Sequence, residues 1–300
     1  MRLVILLRTA LFCSLVLTFV LEARAQISSR DARRQITRLP GFQFPNSAVR
    51  VKRVQGDRAT SEVTAAIETA FRFEKNEAGD WQVKEFRTGP DRWEEIALIS
   101  RALTRDFQPP LCDAPEFRAS ADVGDPSARR ARCLVGGLLG IQTPSDAVRV
   151  RDVSSLNLPL VSQPSALVVA VVEADFRFAR ERNRWQVVAV RTGNRAWANL
   201  SELVAAVNEL KRQKALEELQ ALAESLEVYR KERGFYVPAV DQAALIDHLS
   251  PVYLDTVMRL DPWHQPYLYQ GSPHNFTLRS VGADGRENTP DDIVVTNQVP

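Results

Sequence analysis

Val63-Thr64-Ala65-Ala66-Ile67-Glu68-Thr69-Ala70-Phe71-Arg72-Phe73 decides the reading of this chain, because residues 168–178 answer it with Val168-Val169-Ala170-Val171-Val172-Glu173-Ala174-Asp175-Phe176-Arg177-Phe178. In the first stretch Val63, Ala65, Ile67, Thr69, Phe71 and Phe73 alternate with Glu62, Thr64, Ala66, Glu68, Ala70 and Arg72. That period of two is a long strand with one face buried. The second stretch puts Val168, Ala170, Val172, Ala174, Phe176 and Phe178 on the same face.

The flanking sequence repeats as well. Ala48-Val49-Arg50-Val51 returns as Ala147-Val148-Arg149-Val150, Trp81-Gln82-Val83 as Trp185-Gln186-Val187, and Arg87-Thr88-Gly89 as Arg191-Thr192-Gly193, while Trp93 returns as Trp197. The offset moves from 99 to 105 and settles at 104, the behaviour of a duplication with small insertions in two loops. Asn76 to Asp80 and Arg180 to Arg184 read as hairpin loops into the strands that open at Trp81 and Trp185. Beyond Arg-Thr-Gly the apolar period becomes helical: Ile96, Ile99, Ala102 and Leu103 match Leu200, Leu203, Ala206 and Val207. Each copy is therefore expected to be a short helix, three antiparallel strands and a covering helix, a small α+β module. The order strand, Phe-x-Phe, turn, Trp-x-Val is similar to the terminal hairpin of cystatin-like or NTF2-like domains. The recurrent Trp and Phe read as core residues of a sheet-on-helix module; the alternative is that they line a ligand cavity. Arg87 and Arg191 end equivalent strands, where pairing with a neighbouring carboxylate is the plain reading and anion binding the other.

Composition bounds what such modules can belong to. The chain has 300 residues, 39 Lys+Arg against 37 Asp+Glu and 45% apolar residues, which excludes a disordered, collagenous or polytopic membrane protein. Arg2 and Arg8 flank a short apolar run, Leu3 to Val20, that closes on Ala23-Arg24-Ala25, so residues 1–25 read as a Sec-type signal peptide cut near Ala25. The alternative is a retained anchor, although Arg8 leaves the run short of a comfortable span. Without residues 1–25 the chain carries 36 basic and 36 acidic side chains. A net charge of zero and no Lys/Arg cluster make nucleic acid and anionic membrane poor partners, and no membrane insertion is expected after cleavage. A periplasmic or secreted location follows. Cys13 leaves with the signal; Cys112 and Cys133 remain, an even number in an oxidising compartment, and are expected to pair, the alternative being two buried thiols. Between the copies, Pro109, Pro110, Pro115, Gly124 and Pro126 mark a linker.

The last ninety or so residues carry a different pattern. From Trp197 to Arg233 there is neither Gly nor Pro, and Leu216, Leu219, Ala223, Leu226 and Tyr229 continue an apolar stripe that Gly234 ends. Tyr236-Val237-Pro238 follows, then an amphipathic segment near Asp241 to Leu249, Tyr253-Leu254, Asp261-Pro262-Trp263-His264-Gln265-Pro266-Tyr267, Ser280-Val281-Gly282-Ala283-Asp284-Gly285, and Thr289-Pro290-Asp291-Asp292-Ile293. In that order these landmarks resemble the soluble headgroup of the major pseudopilin of bacterial type II secretion, the protein G family. The resemblance implies a pilin-like domain: a long helix, a short antiparallel sheet and a terminal acidic loop that binds calcium. On this chain it implies Asp284, Asp291 and Asp292 as carboxylate ligands of a structural calcium, with Gly282 and Gly285 letting the backbone turn its carbonyls inward. Apart from the resemblance, Asp284-Gly285 between two β-prone runs is a hairpin turn. The sequence departs from the family in lacking a prepilin leader before a hydrophobic assembly helix, so filament assembly by the pseudopilin route is not expected. His264 stands at a family glycine position and Gln265 beside it.

No catalytic constellation is legible. His248, His264 and His274 lack zinc spacing, Asp261 before Pro262 reads as a turn residue, and Gly136-Gly137-Leu138-Leu139-Gly140 lacks the lysine of a phosphate loop. The expected organisation is a signal peptide (1–25), repeat 1 (26–107), a linker (108–128), repeat 2 (129–211) and the pseudopilin G-like domain (212–300). The expected role is a non-catalytic envelope protein with a calcium-stabilised head that meets a protein partner. The alternative is a ligand-binding protein or enzyme built on cavities in the repeats.

Overall fold

The computed structural model describes residues 26–103, 112, 126–140, 147–156, 164–254 and 257–297. The expected signal segment lies outside the described residues, as does the expected linker apart from Cys112 and residues 126–128. The fold is α+β. The chain forms two compact units that divide between Val204 and Ala205.

In the first unit, α1 (Ser29–Ile36) precedes β1 (Val49–Gly56), β2 (Thr60–Lys75), β3 (Trp81–Arg87), β4 (Trp93–Glu95) and α2 (Ile96–Ala102). The second copy runs in the same order through α3 (Ala128–Leu138), β5 (Val148–Leu156), β6 (Ser165–Glu181), β7 (Arg184–Thr192) and β8 (Ala198–Asn199), then into α4 (Leu200–Arg233). Local chemistry recurs with the order. Ser28 caps α1 by accepting from the Asp31 N–H, and Ser127 caps α3 by accepting from the Arg130 N–H. One turn further on, Ala32 and Ile36 in α1, and Ala131 and Val135 in α3, are buried. β1 bulges between Val51 and Arg53, and β5 bulges at the matching Val150 and Asp152. A second pair of bulges falls at Arg72/Phe73 and Arg177/Phe178. Arg72 lies over the Trp93 ring at 4.7 Å and Arg177 over the Trp197 ring at 4.3 Å. Arg191 pairs with Asp175 at 2.8 Å.

The two copies do not keep separate cores. β2 and β6 pair antiparallel along their whole length, from Thr60↔Ala179 to Glu74↔Ser165, and join everything into one eight-stranded sheet. Val63 faces Phe176, the counterpart of Phe71, and Phe71 faces Val168, the counterpart of Val63. Ile67 faces Val172, its own counterpart. A local two-fold axis therefore passes through that pair. The residues singled out for alternation, Val63 to Phe73 and Val168 to Phe178, share one hydrophobic cluster with Trp81 and with the buried faces of α1 and α3. Each large side chain so buried contributes roughly 1.5–3 kcal/mol. The disulfide Cys112–Cys133, with Cα atoms 5.9 Å apart and a sequence separation of 21, ties Cys133 of α3 to Cys112. A closed loop of that length is worth about 3 kcal/mol in the chain-entropy account.

The second unit is built on α4, whose 34 residues give a rod of about 51 Å. Its buried stripe is Ala215, Leu219, Leu222, Leu226 and Tyr229, at spacings of four and three. Leu216 and Ala223, expected on that stripe, flank it as partly buried neighbours. The helix ends at Gly234 with φ +86° and its N–H on the Arg230 carbonyl, and α5 (Gln242–Leu249) begins at the Asp241 cap. The three-stranded sheet has the order β11 (Ile293–Thr296), β10 (Phe276–Ser280), β9 (Leu268–Gly271). Tyr236, Tyr267, Tyr269, Phe276 and Leu278 fill the space between helix and sheet. Burial raises the hydroxyl pKa of both Tyr267 and Tyr269; Tyr267 also donates to the Glu218 carboxylate and Tyr269 to the Val237 carbonyl.

Candidate functional site

Asp261 is the buried centre of the C-terminal unit's loop region, only 3% exposed. Proline at 262 and the short side chain of Asp favour a turn, and the carboxylate closes it. Its Oδ1 accepts from the backbone N–H groups of Trp263 and Gln265, both at 2.9 Å. Its Oδ2 accepts from the Ser280 hydroxyl at 2.6 Å, at the end of β10. The Gly282 N–H in turn donates to Ser280 Oγ at 3.3 Å. Asp261 is thus the turn residue the sequence suggests, and it also fastens the turn to the strand that launches the acidic loop. His264 adopts φ +67°, the left-handed conformation that explains a glycine preference at this position. Trp263 Nε1 donates to Asn208 Oδ1 of α4 at 3.0 Å, holding the turn against the helix.

The acidic loop begins at Gly282, φ +65°, where a Cβ would stand 2.4 Å from the Asp291 carbonyl and 2.6 Å from Asp291 Oδ2. Only glycine lets the two sides of the loop close this far. Asp291 Oδ2 accepts from the Asp284 N–H at 3.0 Å, and Oδ1 from the Thr289 hydroxyl at 2.7 Å. The Thr289 hydroxyl and the Asp284 N–H hold the Asp291 carboxyl below the ordinary aspartate value. A lowered value stabilises the loop fully above the ordinary range, and that contribution is lost as pH falls through it. Asp292 Oδ2 accepts from the Asn288 N–H at 2.9 Å and pairs with Arg279 at 3.2 Å. Neither Asp291 nor Asp292 is turned out to solvent.

Thr289 stands at the focus. Its Oγ1 lies 2.7 Å from Asp291 Oδ1, 3.3 Å from both Asp284 Oδ1 and Asp292 Oδ1, and 3.1 Å from the Arg286 carbonyl oxygen. One hydroxyl proton cannot serve four acceptors. The loop therefore concentrates oxygen lone pairs, three of them anionic, around one point, the donor chemistry of a hard cation. Among the described residues no three acidic, imidazole or thiol groups close to metal-ligand distances. The ring of oxygens surrounds a hydroxyl, and a bound ion would take Thr289 Oγ1 as a ligand or displace it. The acidic residues were legible in the sequence; Thr289 was not, because one hydroxyl among loop residues has no spacing signal. The Trp residues weighed as cavity lining are packing groups: Trp81 is 2% exposed in the core of the first unit, and Arg180 lies over the Trp185 ring at 5.9 Å.

A long helix, a three-stranded sheet and an acidic loop fastened to the sheet through a buried aspartate make up the C-terminal unit, the set of elements expected of a pilin-like domain. Residues 202–298 match the family model of type II secretion system (T2SS) protein G. The pseudopilin resemblance holds for that C-terminal third of the chain. No curated protein and no solved structure is significantly similar to the chain.

Proposed function

We propose that the protein is an exported, non-catalytic component of the cell envelope whose pseudopilin G-like head, ordered by calcium, presents a surface to a protein partner of the secretion or envelope machinery. The observation that carries the reading is the distribution of exposed apolar side chains. Val228, Phe235, Val240, Val252, Val257, Leu260 and Val294 are the exposed large hydrophobic residues among the described ones, and all belong to the C-terminal unit. Val240 and Val252 are 81% and 76% exposed. Exposed apolar side chains gathered on one unit suit protein contact. Among the described residues no helix is long and apolar enough to cross a membrane.

Calcium would be held by Asp284, Asp291 and Asp292, with Thr289 and backbone carbonyls completing a shell of six to eight oxygens. When bound it supplies charge neutralisation to the crowded carboxylates, fixing one loop conformation. Calcium a hundredfold above its Kd should stabilise the head by about 2.7 kcal/mol in thermal unfolding, and Asp284→Ala should remove that response. A calcium response unchanged in Asp284→Ala would refute the site. A photo-crosslinking residue at Val240 or Val252 should capture a protein partner in the envelope of the native host, with yield falling in chelator, while one at the exposed Glu181 of the first unit should not. Equal labelling at all three positions would remove the assignment of the contact to the head.

A further inference from the structure

The first unit holds a partly open cavity of about 240 Å³, and the described residues that line it all belong to that unit. The cavity lies on the local two-fold axis. Its walls include the axial pair Ile67 and Val172, and the counterpart pairs Phe71 and Phe176, and Ile99 and Leu203. It is therefore a product of joining the copies, since neither copy holds it alone. Trp81 and Trp185 take no part in it.

Away from the axis the two walls differ. The first copy contributes Phe42, Phe44 and Phe86, whereas the counterpart of Phe86 is Val190, next to Arg191 and Thr192. Among the described lining residues the charged ones are Arg191 and Arg195, both cationic and both from the second copy. Arg191 pairs at 2.8 Å with Asp175, its register partner, on the sheet face opposite Phe176 and Val190, and lies over the Trp197 ring, so its guanidinium faces away from the cavity. Arg195, whose Nη2 donates to the Leu138 carbonyl at 2.8 Å, is the guanidinium held at this wall. The cavity has an aromatic end and a cationic end. An apolar cavity of about 150 Å³ stays dry and takes benzene, so this one has room for a chain on the order of eight to ten carbons.

We propose that this cavity binds the chain of a free single-chain carboxylic acid of medium length, its tail toward Phe42, Phe44 and Phe86 and its carboxylate toward Arg195. Each buried methylene should tighten binding about fourfold until the cavity is full. Titration calorimetry of the purified protein with hexanoate, octanoate, decanoate and dodecanoate should show that increase and then a plateau near ten carbons. Decanoate should bind at least tenfold more tightly than decanol; Arg195→Met should erase that preference and Arg195→Lys keep it. Ala174→Phe, which fills the cavity, should abolish binding of both, with Ala198→Phe as the second filling variant should the first fail to fold. No binding at millimolar decanoate, an affinity that rises past twelve carbons and survives both filling variants, or binding only to phosphatidylglycerol vesicles would each overturn the proposal.

Discussion

Asp261→Ala is expected to destabilise the C-terminal unit by about 4 kcal/mol, the loss typical of removing a buried charged acceptor that serves several donors. The variant strands the N–H groups of Trp263 and Gln265 and the Ser280 hydroxyl at a site that is only 3% exposed. It also frees the end of β10, from which the acidic loop departs, so stability and loop order should fall together. Asp261→Asn keeps an oxygen for the two backbone donors and an amide that can donate to Ser280 Oγ, so it should cost about half as much. Denaturant-dependent hydrogen exchange at Trp263, Gln265 and Gly282 reads the effect directly. Protection within about 1 kcal/mol of wild type in the alanine variant would mean that backbone turn formation, not the carboxylate, holds this region.

Phe178→Ala should cost about 3–5 kcal/mol, since Phe178 is fully buried and its removal leaves a cavity in a close-packed core. The more telling outcome is where the loss appears. Phe178 belongs to the second copy and faces Ser61 of the first across β2 and β6, within a cluster that draws on both copies. Amides of β1 and β3 in the first copy should therefore lose protection along with those of β5 and β7. If β1 and β3 keep their wild-type protection, the copies unfold as separate modules and the shared core has been overvalued.

How much of this was legible follows from the kind of signal each feature leaves. The strands β2 and β6 could be read because Val63, Ile67 and Phe71 alternate with polar neighbours and their counterparts repeat the alternation. The pairing of β2 with β6 leaves no such mark, because antiparallel register between distant strands is set by face burial and adds no local residue preference. The helix caps Ser28 and Ser127 went unread because a single serine is common in loops, although Ala32/Ala131 and Ile36/Val135 repeat at the same offset of 99. The unit boundary inside α4 has no Gly or Pro to announce it, and the expected start at residue 212 is later than the compact unit, which begins at Ala205. In the acidic loop the carboxylates were visible as residue types, while the convergence on Thr289 depends on turns at Gly282 and Asn288 that only the folded backbone displays.

The symmetric seam between β2 and β6 is the arrangement two identical subunits would adopt. A lone copy would leave the edge of its long strand open from Thr60 to Glu74, an invitation to pair with another chain. Two such subunits would hold together only above a concentration set by their dissociation constant. Covalently joined, each edge always has its partner within reach, and the seam survives at any dilution.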